Sequence, residues 1–174
     1  RNGDIESIYE TIDSLKDLNP DFISVTYGAG GSTRRKTLDI ATYIKQHYMV
    51  NVLVHLTCVE LTEESLNAFL DTIRKNKLEN IMALRGDVPK GESPDIFSRF
   101  SYRHASDLVC AIKGFGEFSI GGACYPECHF ECDSIEKDVE NLKIKVDAGT
   151  DFLITQLFFD NDLFYKFMDL CVQK

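Results

Sequence analysis

Five short apolar segments recur along this chain, and a helical pattern follows each of them. They begin at residues 21, 51, 79, 117 and 151 and read "DFISVTY", "NVLVHLT", "ENIMALR", "EFSIGGA" and "DFLITQ". Nearly continuous apolar runs are typical of parallel strands that are buried on both faces. Regular β-α units at this spacing predict a parallel α/β sheet, either doubly wound or a (β/α)8 TIM-type barrel. A barrel typically needs about 250 residues, so this chain would supply about five of its strands.

Apolar residues at helical spacing lie between the strand segments. Thr62, and Asp133 with Glu136, are predicted to begin helices, and Asn19-Pro20 and Gly149 are predicted to mark helix ends. Four sets share a helix face: Ile5, Ile8, Tyr9, Ile12 and Leu15; Leu66, Phe69, Leu70 and Ile73; Ala105, Leu108, Val109 and Ile112; and Ile135, Val139, Leu142 and Val146.

The composition limits the kinds of molecule that this protein is expected to bind. The 174 residues carry a formal net charge of −9, which argues against nucleic acid, and no basic cluster or membrane-length apolar run is visible. Six cysteines without an export signal predict reduced thiols in a cytoplasmic protein. The chain opens at Arg1 and ends inside a helical pattern, so we expect it to be a piece of a longer protein.

Polar side chains stand where each predicted strand ends. The carboxyl ends of parallel strands meet at one edge of a sheet or barrel, where ligands bind, so these residues predict one site. Arg85-Gly86-Asp87 therefore belongs to a strand end and not to an adhesion loop, with Gly86 allowing close backbone approach. The residues are Thr26 and Tyr27; His55 and Thr57; Arg85, Gly86 and Asp87; Tyr125, Glu127 and His129; and Thr155 and Gln156.

Three further patterns allow two interpretations each. The "GAGG" at 28–31 fits either a plain turn or a backbone that approaches a ligand, and it matches no nucleotide-loop motif. Cys124, Cys128 and Cys132 surround His129 without the usual metal-site spacing, so we expect no metal. A helical row of Asp138, Asn141 and Lys145 could be a solvated face or could reach phosphate and ribose groups.

The ordered strings "SVTYGA", "HLTC", "ALRGD", "YPECH" and "DAGTDFLITQLFFD" resemble the methylenetetrahydrofolate reductase family over nearly the whole chain. The resemblance implies one (β/α)8 barrel domain, with strands two to six inside residues 1–174 and the first and last two strands outside them. It implies FAD as cofactor and NADH or NADPH as co-substrate. The implied reaction is ping-pong reduction of 5,10-methylenetetrahydrofolate to 5-methyltetrahydrofolate, which serves methionine biosynthesis.

The family's functional residues carry over by position. Asp87 and Gln156 would serve catalysis and folate binding: Asp87 would stabilise positive charge on the folate, and Gln156 would hold the pterin. Thr26 would lie on the nicotinamide side. The cofactor-binding set would be Thr26, Tyr27, Ala29, His55, Arg85, Gly86, Asp87, Ala105, Tyr125, His129, Asp138, Asn141 and Lys145.

One departure from the family pattern supports a rival hypothesis. The family's general acid is a glutamate on the first strand, which has no counterpart in residues 1–174. The rival is a folate- or flavin-binding module without turnover that needs a partner or further segments. A different barrel enzyme with a phosphorylated substrate is a third possibility. The partners expected in the favoured case are small molecules only, with no nucleic acid and no membrane, and a homo-oligomer at full length.

Overall fold

A computed structural model describes residues 5–15, 18–26 and 31–174. Strands and helices alternate throughout. The strands are β1 (Phe22–Val25), β2 (Asn51–Thr57), β3 (Asn80–Leu84), β4 (Ser119–Cys124) and β5 (Phe152–Thr155). The helices are α1 (Ile5–Leu15), α2 (Gly31–Tyr48), α3 (Glu63–Lys75), α4 (Ala105–Phe115), α5 (Ile135–Asp147) and α6 (Asn161–Gln173), and a 3₁₀ helix spans Pro94–Arg99.

The five strands form one parallel sheet in the order β1-β2-β3-β4-β5. A doubly wound sheet reverses its strand order at a switch point, whereas a barrel adds each strand beside the previous one. The sequential order therefore decides between the two predicted architectures. The chain forms an α/β half-barrel, five strands of the (β/α)8 type, as the resemblance implied.

The helices α1 to α4 pack on one face of the sheet, as they do outside a barrel. Alternate strand residues such as Val54, Leu56 and Ile81 are completely buried in one cluster with Ile44 of α2 and Leu70 of α3. Leu53 and Met82 point the other way; they are buried but lie outside that cluster. The opposite face is therefore the barrel interior.

The predicted helix faces are confirmed for α3 and α4, whose four core residues are all buried. The face of α5 is only partly right, because Val139 and Leu142 are buried while Val146 is 41% exposed. Val146 lies in the last turn of α5, beyond the buried cluster that Val139 and Leu142 share with α6.

Of the two predicted helix starts, one is confirmed and one is wrong. Thr62 caps α3, with its Oγ1 accepting from the main-chain N–H of Ser65 at 3.2 Å. Asp133 does not begin α5; Ser134 is the capping residue, and its Oγ accepts from the N–H of Lys137 at 3.3 Å. A hydroxyl one residue further on satisfies the helix terminus, so the Asp133 carboxylate is not needed there. In the described part of the chain, no helix is long and apolar enough to cross a membrane.

Candidate active site

A cavity of about 550 Å³ opens at the carboxyl edge of the half-barrel, between the ends of β3 and β4 and the helices α4 and α5. Seven of the carried-over cofactor residues line it. They are Arg85, Ala105, Tyr125, His129, Asp138, Asn141 and Lys145. The volume lies within the usual range for small-molecule pockets, about 300–1,000 Å³.

Arg85 reaches the cavity from the first position after β3. Its Nη1 and Nη2 atoms donate to the two carboxylate oxygens of Glu131 at 2.6 and 2.8 Å. The guanidinium carbon lies 4.8 Å from the ring centroid of Phe97, in the 3₁₀ helix. The hydrogen bonds to Glu131 raise the pKa of Arg85, and the same bonds lower the pKa of Glu131. Both groups are therefore charged at neutral pH.

Tyr125 and His129 form the wall that follows β4. Their rings meet edge to face with centroids 4.6 Å apart. The main-chain N–H of His129 donates to Asp138 Oδ2 at 2.9 Å, which ties this loop to the first turn of α5. Burial raises the pKa of the Tyr125 hydroxyl, with further contributions from Asp138 and Asp87. Tyr125 is therefore a neutral hydrogen-bonding group.

Lys145 extends from the last turn of α5 to the floor of the cavity. Its Nζ donates to the main-chain oxygen of Ala123 in β4 at 2.6 Å. Burial lowers the pKa of Lys145. It forms no salt bridge with any carboxylate in residues 5–15, 18–26 and 31–174. A half-buried ammonium without a paired carboxylate is suited to meet an anionic ligand.

The row formed by Asp138, Asn141 and Lys145 therefore faces the cavity. Asp138 holds the His129 loop, and Asn141 Nδ2 lies 3.9 Å from the Sγ of Cys132. All three line this cavity, with Asn141 exposed and Asp138 and Lys145 half-buried. Ala105 is the first residue of α4 and is buried; the N–H groups of Arg103 and His104 just before it donate to Asp107 Oδ2, each at 2.9 Å.

The remaining predicted site residues lie outside this cavity. His55 is inside β2 and not at its end, on the interior face, with Nε2 2.7 Å from Ser24 Oγ. Thr26, Asp87 and Gln156 are exposed at the same edge of the sheet, beyond β1, β3 and β5. The main-chain N–H of Gln156 donates to the oxygen of Cys124 at 2.8 Å. Tyr27 and Ala29 fall outside the described residues.

Gly86 has a reason for being glycine within the chain itself. Its φ is +88°, and a β-carbon there would lie 2.8 Å from Val59 Cγ2 and 3.0 Å from Thr57 Cβ. The position that a β-carbon would take is occupied by side chains from the end of β2 and the segment after it. The glycine lets the Arg85–Asp87 segment pack closely against them.

Several cavity residues were missed at the level of sequence. Glu131 follows His129 by two positions and could have been found as an acid facing the arginine after β3. Cys132 carries no strand-end signal and reaches the cavity only through the path of the chain. Phe97 carries none either and contacts Arg85 from the 3₁₀ helix. The missed lining residues with polar or charged groups are His104, Ser106, Asp107, Glu131 and Cys132.

The six cysteines are free thiols. Cys58 is fully buried after β2, and burial raises its pKa to about 12. Cys124 is buried at the end of β4, and burial raises its pKa to about 11. Both are protonated packing residues and not nucleophiles. Within the described ranges, no three His, Cys, Asp or Glu side chains are grouped so that they could hold a metal.

Comparison with known proteins identifies the family. The family model described as "Methylenetetrahydrofolate reductase" matches residues 2–174. The chain belongs to this family. Among its curated members, 5,10-methylenetetrahydrofolate reductase of Escherichia coli K12 is 40% identical over 168 residues, which is 96% of this chain and 54% of that protein. Methylenetetrahydrofolate reductase (NADH) 1 of Arabidopsis thaliana is 40% identical over 180 residues, 97% of this chain and 30% of that protein.

The chain thus spans about half the length of the bacterial family member and less of the plant one.

Solved structures of other proteins share the fold of this chain. A lyase/mutase described as putative from Burkholderia cenocepacia J2315 superposes with a TM-score of 0.64 at 12% identity, over 93% of this chain and 61% of that one. A protein from Clostridium thermocellum that binds two copies of 5-methyl-5,6,7,8-tetrahydrofolic acid has a TM-score of 0.59 at 14% identity, over 99% and 56%.

Proposed function

We propose that this chain forms the FAD-binding part of a barrel that reduces 5,10-methylenetetrahydrofolate to 5-methyltetrahydrofolate with NADH or NADPH. One observation carries the proposal. Seven of the residues that the family resemblance assigns to the cofactor come from four separate elements, and they converge on one cavity at the carboxyl edge. Family membership supplies the reaction.

The donors and charges in the cavity suit a flavin dinucleotide. A diphosphate needs cationic partners, and Arg85 and Lys145 supply two, the second without a paired carboxylate in the described part of the chain. Asp138 and Asn141 add acceptor and donor groups of the kind that bind ribose hydroxyls. The Tyr125 and His129 rings offer apolar surface beside them. The residues present therefore fit the group.

The exposed residues at the same edge would serve the substrates. FAD, when bound, supplies the two-electron chemistry. The Asp87 carboxylate would stabilise positive charge that develops on the folate, since a fixed charge costs no reorganisation during the reaction. The Gln156 amide would hold the pterin by donating and accepting hydrogen bonds. Thr26 would contact the nicotinamide nucleotide.

Further properties are proposed from membership of the family. They are the single barrel domain, ping-pong turnover at one flavin, a role in methionine biosynthesis, a cytoplasmic location and a homo-oligomer at full length. A plant family member carries NADH in its name.

Two separate half-reactions test this function in the complete protein. Without oxygen, NADH or NADPH should bleach the flavin absorbance, and 5,10-methylenetetrahydrofolate should then restore it. Asp87→Asn should keep FAD and its reduction but lose much of the reoxidation by folate, whereas Glu92→Gln, an exposed control on the loop after β3, should change neither. Equal loss in both half-reactions would contradict the role of Asp87, and FAD binding without reduction would support the binding-module alternative.

A further inference from the structure

Glu131 contacts two residues of the cavity wall at once. Its carboxylate forms the two-bonded pair with Arg85, at 2.6 and 2.8 Å, and the side chains of Arg85 and Glu131 are only 26% and 32% exposed. Its main-chain N–H donates to Nδ1 of His129 at 3.2 Å. The pair with Arg85 links the end of β3 to the loop after β4, and the contact with His129 lies within that loop.

The pair with Glu131 holds the Arg85 guanidinium in one plane. The Arg85 Cζ lies over the Phe97 ring, 4.8 Å from its centroid, so the group is held by the carboxylate and also contacts the ring. A guanidinium has five N–H donors, and the pair with Glu131 uses two of them. The other three form no hydrogen bond with any residue that the structure describes, and their directions are set before a ligand arrives. Preorganisation of this kind removes the entropy cost of ordering a long side chain on binding.

The contact with His129 sets the proton position on that ring. A neutral imidazole has one donor nitrogen and one acceptor nitrogen. Since Nδ1 accepts from the N–H of Glu131, the neutral ring carries its proton on Nε2. The same loop is held from the other side by Asp138, which accepts from the His129 N–H at 2.9 Å.

We propose that Glu131 is a positioning residue for the cofactor: it orients Arg85, and thereby strengthens the binding of FAD. This inference rests on the proposed function. Glu131 itself carries negative charge into a site for an anion, which opposes binding. We infer that orientation outweighs this repulsion, because the paired carboxylate is already neutralised by Arg85 and three guanidinium donors remain.

A double-mutant cycle in the complete protein tests this inference. FAD is titrated into apo wild type, Glu131→Gln, Arg85→Gln and the double variant, and binding is followed by flavin fluorescence and absorbance. Glu131→Gln should weaken FAD binding about tenfold. In the Arg85→Gln background the same change should alter the dissociation constant by less than about twofold, because Glu131 acts through Arg85. Glu140→Gln removes an exposed carboxylate of α5 and should bind FAD as wild type does.

The outcomes separate the inference from the function on which it depends. A wild-type protein that fails to bind FAD would overturn the proposed function. Wild-type binding that is matched or exceeded by Glu131→Gln would overturn the inference, as would equal losses from Glu131→Gln with and without Arg85. If circular dichroism shows that Glu131→Gln does not fold, Arg85→Lys provides the test, since lysine keeps the charge and cannot form the two-bonded pair. Its affinity for FAD should again be about tenfold lower than that of wild type. Unchanged affinity would overturn the inference.

Discussion

Gly121 of β4 and Phe152 of β5 lie directly opposite each other, and a β-carbon on Gly121 would stand 2.6 Å from Cε2 of the Phe152 ring. The same β-carbon would lie 3.0 Å from the sulfur of Met82 in β3. The phenyl ring therefore occupies the space that a larger residue would need on the interior face. We expect Gly121→Ala to lower the free energy of unfolding by about 1–3 kcal/mol, measured by urea denaturation.

Gly114 gives the matched control for that substitution. It lies in α4, is exposed, and has no atom within 4 Å of the position that a β-carbon would take. Gly114→Ala should stabilise the fold by about 0.4–1 kcal/mol, because alanine restricts the unfolded chain without a clash. Equal effects of the two substitutions would show that the close contact with Phe152 does not determine the residue at position 121.

Asp151 joins the start of β5 to two neighbouring elements. Its Oδ2 accepts from the N–H of Ile120 in β4 at 2.7 Å, and its oxygens accept from Lys113 Nζ at 3.0 and 3.1 Å. We expect Asp151→Ala to lower the free energy of unfolding by about 1–2 kcal/mol. The effect is modest because the side chain is 41% exposed and solvent weakens its ion pair.

Asp147→Ala is the control for that loss. Asp147 forms an exposed pair with Lys143 in the last turn of α5, and its removal should change stability by less than about 0.5 kcal/mol. If the two alanine variants unfold at the same denaturant concentration, Asp151 does not secure β5.

His55 should make stability depend on pH. Burial lowers its pKa below the ordinary 6.5, so the folded protein takes up this proton later than the unfolded chain does as the pH falls. Below pH 6.5 the unfolded state therefore binds more protons than the folded state. As the pH falls from 6.5 to the pKa of the folded state, the free energy of unfolding decreases by at most about 1.4 kcal/mol per pH unit for this one site. Above 6.5 this dependence is absent.

Urea denaturation at about pH 7.5 and about pH 5 checks this. His55→Gln removes the titrating group and should lose less stability between the two values than wild type does. His47→Gln, on the exposed face of α2, should keep the wild-type difference. A wild-type loss that His55→Gln leaves unchanged would assign the pH dependence to other groups.

Much of the fold could be predicted from the sequence because its signals are local. Runs such as "NVLVHLT" mark buried parallel strands, and residues such as Leu66 and Ile73 mark the inner face of a helix. Strand order is not local: the choice between a doubly wound sheet and a barrel needed the pairing of β1 through β5. The cap of α5 was missed because Asp133 and Ser134 are both good capping residues, and only geometry selects between them.

The site was predictable where a strand ends at it. Arg85 and Tyr125 follow β3 and β4 directly, so topology alone places them at one edge, and His129 lies in the loop that Tyr125 begins. His55 and Gln156 were predicted at the same edge but lie outside the cavity. The sequence predicts at which edge of the sheet a residue lies, but it does not predict how far apart residues on different strands are along that edge. Glu131 reaches the cavity through the path of the loop after β4, and Phe97 contacts Arg85 from the 3₁₀ helix; no spacing pattern encodes either placement.

Titration of FAD into the apo form of the complete protein tests most directly whether this cavity holds the cofactor. Lys145 offers its ammonium to the cavity, whereas Lys143, on the same helix, is paired with Asp147 outside it. We predict saturable binding of one FAD to wild type and to Lys143→Met, and binding at least about tenfold weaker for Lys145→Met. A wild-type protein that binds no flavin, or equal affinities for the two lysine variants, would contradict the assignment of the cavity to FAD.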